Sequence, residues 1–270
     1  MSGAPAAGRQ AAEEPRGHPA PVFALDLPGA RVAFSTRLGG VSEGPYESLN
    51  LGILTDDDQG LVAHNRRLLA ESLGLDVDAI AIGVQVHGAE VLEWGAGAPA
   101  PALAERDAEL PHVDGHATER ADLALLVLGA DCLPVALAAR ARTGAPGRVA
   151  MIHCGWRGLA GGIVERAVAG FSEAPSAAIG PGIGGCCYEV GPEVLEAFAG
   201  LDGVVAAGEA RQGHGMLHLR AVARHKLAAA GVADIQEVDL CTSCRTDLFF
   251  SHRRDQGVSG RQGGVVWRTR

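Results

Sequence analysis

The sequence predicts a mixed α/β domain. Short apolar runs bounded by Gly, Asp or Pro read as buried strands, and amphipathic patterns at helical spacing lie between some of them. Several strands follow one another directly, without a regular βαβ period, which points to a mixed rather than an all-parallel sheet. Along the chain, residues 1–20 are rich in Ala, Pro, Gly and charge and predict a disordered tail, leaving 21–270 as one domain. The runs 31–35, 79–84, 123–128, 148–152, 235–240 and 264–267 predict strands. Leu61, Val62, Leu68, Leu69 and Leu73 recur at helical spacing behind Asp56, Asp57 and Asp58, whose charge suits a helix N-terminus. Ile163, Val164, Ala167, Val168 and Phe171 mark a second helix. Val194, Leu195, Phe198 and Leu201 mark a third, entered through Pro192. Leu219, Val222, Leu227 and Ala230 mark a fourth, stopped by Gly231. The low-complexity stretch 95–102 predicts a surface loop.

Composition excludes several classes. Twenty-three basic against 32 acidic residues give a net charge of −9, which argues against a nucleic-acid partner or a polybasic membrane anchor. No run approaches the ~18–20 apolar residues of a membrane span, and the N-terminus lacks the apolar core of a signal peptide. Six cysteines in 270 residues are too sparse for a disulfide framework, so the chain reads as cytoplasmic with reduced thiols. Thirty-eight glycines, about twice the usual share, show no Gly-X-Y period and imply tight turns or close backbone approach.

Three residues at predicted strand ends carry metal chemistry. His87 follows the run 79–84, Cys132 follows 123–128, and His153 closes 148–152. Strand ends of an α/β sheet converge on one rim, where ligand sites form. Two imidazoles and a thiolate suit zinc, and three protein ligands leave a fourth position for water, the pattern of a catalytic site. Packing is the commoner role of a His or Cys beside a strand, and the long spacings leave it open. Cys241-x-x-Cys244 with Cys186 and Cys187 offers a competing four-thiolate site. The vicinal pair is a poor half of such a site, and core or pocket thiols are the preferred reading. Cys187 is also a candidate nucleophile of a Cys/His hydrolase.

Glycine-rich segments at 35–42, 155–162 and 180–185 have possible ligand roles. None is a P-loop, and Gly180-x-Gly182-x-x-Gly185 leads into Cys-Cys-Tyr-Glu rather than a helix, which argues against a dinucleotide fingerprint. Arg157 in the second segment, at a helix N-terminus, is a candidate anion contact, with a tight turn as the alternative.

The strings Ser-Thr-Arg-Leu-Gly-Gly-Val-Ser (35–42), Ser-Leu-Asn-Leu-Gly (48–52), Gln-Val-His-Gly (85–88), Ala-Asp-Cys-Leu-Pro-Val (130–135), His-Cys-Gly-Trp-Arg-Gly (153–158), Gly-Gly-Cys-Cys-Tyr-Glu-Val-Gly (184–191) and Phe-Phe-Ser-His-Arg-Arg-Asp (249–255) occur in order along the chain. Together they resemble the YfiH/YlmD family, formerly called multicopper polyphenol oxidases or laccase-domain proteins. The resemblance implies a four-layer α/β/β/α domain of the type shared with the cytotoxic necrotizing factor catalytic domain. It implies one zinc per chain on His87, Cys132 and His153. It also implies phosphorolysis of purine nucleosides (adenosine, inosine, 5′-methylthioadenosine) with phosphate, together with adenosine deamination. Editing of peptidoglycan precursors is a role also assigned to family members. Copper fits poorly, because a multicopper oxidase needs several His-rich sites. Within this resemblance Arg37 and Arg157 are candidates for phosphate charge, and Asn50, Cys187, Tyr188 and Arg254 are further pocket candidates. Asp131 is a candidate for orienting a metal ligand, or for capping the turn before Pro134. Two departures stand out: His116, in Gly115-His116-Ala117 where the family has Ala-Leu-Val, puts an extra histidine near the pocket, and Gly185 replaces a larger residue.

Overall fold

A computed structural model describes residues 20–97, 110–143, 146–206 and 208–269. The predicted tail lies outside these residues except for Ala20, which is buried. The predicted 95–102 loop is described only to Gly97.

The first half contains β1 (Val22–Leu27), β2 (Ala30–Ser35), α1 (Gln59–Leu73), β3 (Ile80–Ala81), β4 (Val91–Glu93), β5 (Gly115–Thr118) and β6 (Ala124–Gly129). Then come β7 (Leu133–Ala139), β8 (Arg148–Cys154), α2 (Trp156–Ala160), α3 (Ile163–Ala169), β9 (Ser176–Ile179), β10 (Glu189–Val190) and α4 (Pro192–Ala197). The chain continues through β11 (Val205–Ala206), β12 (Gly215–Leu217), α5 (Leu219–Ala229), β13 (Ile235–Glu237) and β14 (Gln262–Arg268). Among the described residues no helix is long and apolar enough to cross a membrane.

Two mixed sheets organise the molecule. One has the order β1-β2-β14-β6-β3, the other β13-β9-β7-β8-β5-β4, and β10-β12-β11 form a small third sheet. Period-2 alternation explains how the two large sheets pack. Leu125 and Val127 of β6, with Val32, Phe34 and Val266, meet Ala136, Ala138, Val149 and Met151 of β7 and β8 in one core. The opposite face of β6, through Ala124 and Leu126, packs with Leu69 and Ala70 of α1. The opposite face of β7 and β8, through Val135, Leu137, Ala150 and Ile152, packs with Leu159, Ile163, Val164, Val222 and Leu227 of α2, α3 and α5. Strands buried on both faces read as continuous apolar runs, which is why 123–128 and 148–152 were legible.

Several expectations change. The run 79–84 yields only the two-residue β3, with Val84 forming a single bridge to His112. The run 235–240 yields three strand residues. The Ala-rich β7 and β9 gave no strand signal, because Ala has little β preference of its own. The four expected helices are present, and Asp58 of the acidic run caps α1, accepting the N–H groups of Gly60 and Leu61. The third helix ends at Ala197, short of Leu201.

Candidate metal centre

Cys132 lies in the turn where the chain leaves β6 in one sheet and enters β7 in the other, and His153 is the penultimate residue of β8. His87 lies on the segment joining β3 to β4. The three residues therefore meet where the two sheets come together, not along the rim of a single sheet. Their donor atoms all lie within 4.8 Å of one another. The two imidazoles meet edge to face, with centroids 5.0 Å apart at 77°.

Asp114, which carries no motif signal, organises this geometry. Its carboxylate accepts the backbone N–H groups of Val86 (3.0 Å), His87 (2.9 Å) and Gly88 (2.7 Å). It also accepts His153 Nδ1–H at 2.8 Å. A carboxylate only accepts, so the proton sits on Nδ1 and Nε2 is left with its lone pair. His87 has φ +59°, a left-handed conformation that costs a β-carbon residue about 1–2 kcal/mol; three N–H groups converging on one carboxylate over-determine it. Gly155 completes the cradle: a Cβ there would stand 3.1 Å from Cys132 Sγ and 3.2 Å from His87 Cδ2.

Electrostatics favour an ionised sulfur. Burial pushes the Cys132 thiol up, but the imidazoles of His153 and His87 outweigh it and bring it to about 6. Burial pulls His153 down, yet the Cys132 thiolate and the Asp114 carboxylate raise it to about 9. Both shifts favour charge, the Cys132 sulfur toward thiolate and His153 toward the protonated ring, and a divalent cation at this place would stand in for that positive charge. Two nitrogens and one thiolate at this spacing fit zinc-type coordination.

The three residues open into a cavity of about 410 Å³ lined also by Gly52–Thr55, Gln85, Trp156, Arg157, Tyr188, His252, Arg253 and Arg261. Of the expected pocket residues, Arg157 and Tyr188 are in its wall. The others have different work. Arg37 donates to the Glu47 carbonyl and stacks on Phe250 at 4.6 Å. Asn50 is fully buried; its Oδ1 accepts the N–H groups of Gly52 and Arg261, so it shapes the wall from behind. Arg254 pairs with Asp255 and donates to the carbonyls of Thr242 and Phe249. Asp131 lines the cavity, but its carboxylate accepts Thr242 Oγ1–H and the Arg253 N–H, both at 2.7 Å. The carboxylate that orients a ligand is Asp114. His116 is buried, accepts the Trp94 indole N–H at 3.1 Å, and is not in the cavity wall.

Cys187 has no role in the cavity wall. Cys186, Cys187, Cys241 and Cys244 form a second cluster whose sulfurs all lie within 4.8 Å of one another. Among the described residues the thiol with imidazole neighbours is Cys132, whereas Cys187 Sγ meets Cys244 Sγ. Of the arginines near the C-terminus, Arg253 and Arg261 line the cavity, whereas the pocket candidate Arg254 does not. The string Arg253-Arg254 alone does not tell which side chain turns inward.

A mixed α/β fold of two packed sheets, with a His/Cys/His cluster at their junction opening on a cavity, defines a protein with a candidate metal site. The family described as multi-copper polyphenol oxidoreductase laccase matches residues 31–269. The curated protein "Purine nucleoside phosphorylase YlmD" of Geobacillus stearothermophilus is 37% identical over 261 residues, 92% of each chain. "Purine nucleoside phosphorylase YfiH" of Escherichia coli is 38% identical over 243 residues, 88% of this chain and 94% of that one. The crystal structure of YfiH from Bacillus licheniformis superposes with a TM-score of 0.82 at 33% identity, covering 89% of this chain and 93% of that one. That of YlmD from Geobacillus stearothermophilus gives 0.80 at 35% identity, covering 90% and 93%. The chain belongs to the YfiH/YlmD family.

Proposed function

We propose that this chain is a zinc-dependent purine nucleoside phosphorylase. It converts adenosine, inosine or 5′-methylthioadenosine and phosphate to the base and the pentose 1-phosphate, and it deaminates adenosine. The observation that carries the reading is the juxtaposition, in one 410 Å³ cavity, of His87, Cys132 and His153 with Arg157, Arg253 and Arg261. The volume lies within the about 300–1,000 Å³ range of small-molecule sites. The names of the relatives, all purine nucleoside phosphorylases, support the same reading.

Phosphorolysis forms a C1′–O bond to phosphate and breaks the bond from C1′ to the purine nitrogen, whose electron pair leaves with the base. The arginines of the cavity hold the phosphate, as guanidinium forks suit its oxygens. Tyr188, pushed up to about 12 by burial, remains a neutral hydroxyl able to donate. His87, Cys132 and His153 would hold zinc, which would supply the Lewis acidity that deamination at purine C6 requires. Zinc is favoured over a multicopper set because the other ligand cluster among the described residues is all cysteine, without the imidazoles such an oxidase uses. The protein acts in the cytoplasm on these small molecules.

The test is base release from adenosine with and without phosphate, alongside metal analysis. Phosphate-dependent release of adenine, lost together with the metal in Cys132→Ala, is the expected result. Turnover that persists in a metal-free Cys132→Ala protein, or base release indifferent to phosphate, overturns the reading.

A further inference from the structure

Cys186 and Cys187 lie in the turn before β10, and Cys241 and Cys244 lie in the turn after β13. The backbone registers these two turns on each other. Gly182 bridges Cys241, Thr242 N–H donates to the Gly182 carbonyl at 3.1 Å, and Cys187 N–H closes its own turn on the Gly184 carbonyl at 2.9 Å. Adjacent side chains diverge in an extended strand, but here they sit in a turn, and both sulfurs reach the same place. Cys244 Sγ is 3.5 Å from Cys186 Sγ and 3.4 Å from Cys187 Sγ. A disulfide needs about 2.0 Å, so neither contact is a bridge. A tetrahedron with metal–sulfur bonds of about 2.3 Å has sulfur–sulfur edges of about 3.8 Å, the scale seen here.

Two further observations point to a cation. Cys241 Sγ accepts the Gly184 N–H at 3.1 Å, a hydrogen bond that stabilises an ionised sulfur. Gly184 itself leaves the space: a Cβ there would stand 3.1 Å from Cys186 Sγ and 3.3 Å from Cys241 Sγ. Four thiolates this close repel one another, and a soft-tolerant divalent ion removes that repulsion.

We infer that Cys186, Cys187, Cys241 and Cys244 bind a second zinc ion, a closed four-thiolate site separate from the His87–Cys132–His153 centre. Four protein ligands leave no open position, so this ion is structural. Its place in the fold states what it secures. Tyr188 follows Cys187 directly and stands against Arg253 at 5.0 Å, and Thr242 follows Cys241 and holds Asp131. The ion staples the turn that leads into Tyr188 to the segment whose Thr242 holds Asp131, the carboxylate that also accepts the Arg253 N–H. The inference does not depend on the nucleoside reading.

The experiment is zinc quantification on the full chain, purified from zinc-supplemented culture without chelator. Wild type is expected to carry about two zinc ions per chain, and Cys132→Ala about one, since its four cysteines are intact. Cys186→Ser combined with Cys241→Ser is expected to lose one of the two. Because that variant also risks the fold, Co2+ is titrated into metal-stripped Cys132→Ala. Saturation at one equivalent, with the intense visible bands and thiolate charge-transfer absorption of tetrahedral cobalt–sulfur coordination, supports the site. A Cys132→Ala protein that binds neither metal, or native protein whose four cysteines are recovered as disulfides after alkylation, overturns it.

Discussion

Asp114 Oδ1 accepts the Nδ1 proton of His153 at 2.8 Å while the same carboxylate gathers the N–H groups of the loop carrying His87. One side chain thus aims one imidazole and folds the segment that presents the other. Asp114→Asn keeps the shape but turns half of the acceptor into a donor facing N–H groups. Metal affinity at His87, Cys132 and His153 is expected to fall about 10–100-fold, as for other residues that hold metal-bound histidines. Chelator competition on the purified variant measures this, and unchanged affinity refutes the role.

Gly155→Ala tests the cradle from its other side. The added methyl meets Cys132 Sγ at 3.1 Å and His87 Cδ2 at 3.2 Å. Overpacking of this kind costs about 1–3 kcal/mol, or about 10–100-fold in metal affinity. Circular dichroism and the melting curve of the metal-stripped protein should stay near wild type, since the strain falls on the ligands.

Arg157 and Arg37 separate phosphate contact from scaffolding. Arg157 lines the cavity, whereas Arg37 is committed to the Glu47 carbonyl and the Phe250 ring. A charged hydrogen bond contributes about 1.5–3 kcal/mol, so Arg157→Ala is expected to raise the KM for phosphate about tenfold or more. Arg37→Ala should leave that KM near wild type. Steady-state kinetics with phosphate as the varied substrate decide between them.

His116 gives a pH signature. Burial pulls its imidazole down to about 4, against 6.5 for the free side chain. Below pH 6.5 the unfolded chain binds a proton that the native imidazole refuses. Its contribution is therefore intact above pH 6.5 and is lost as the pH falls toward 4, by roughly 3 kcal/mol in all. Urea denaturation at pH 7 and pH 5 should show a smaller pH difference in His116→Leu than in wild type. Equal differences would mean that His116 takes up its proton in the folded protein as readily as in the unfolded one.

The His87, Cys132 and His153 cluster was legible because each residue follows or closes an apolar run and lies within two residues of Gly or Pro, a pattern the local sequence carries. Asp114 was not, because Val113-Asp114-Gly115 reads as an ordinary turn. Its partners lie 27 residues back at His87 and 39 forward at His153, a relationship without any periodicity. The same holds for Asn50, whose partner Arg261 is 211 residues away. The alternation of β6 and β8 was visible as unbroken hydrophobicity. Leu133-Pro134-Val135-Ala136-Leu137-Ala138-Ala139 becomes a strand only because neighbours bury both its faces. The meeting of Cys186 and Cys187 with Cys241 and Cys244 was not legible, because adjacent side chains reach one place only where a turn holds them, and the local sequence does not show that turn.

The position of β14 also orders events during synthesis. It lies between β2 and β6, pairing with both, yet it emerges from the ribosome after either of them. Until residues 262–268 are extruded, the β1–β2 hairpin and the β3–β6 pair have no common partner in their sheet. β14 is thus the strand that joins the two halves of this sheet, and the sheet closes only once both halves and residues 262–268 are available.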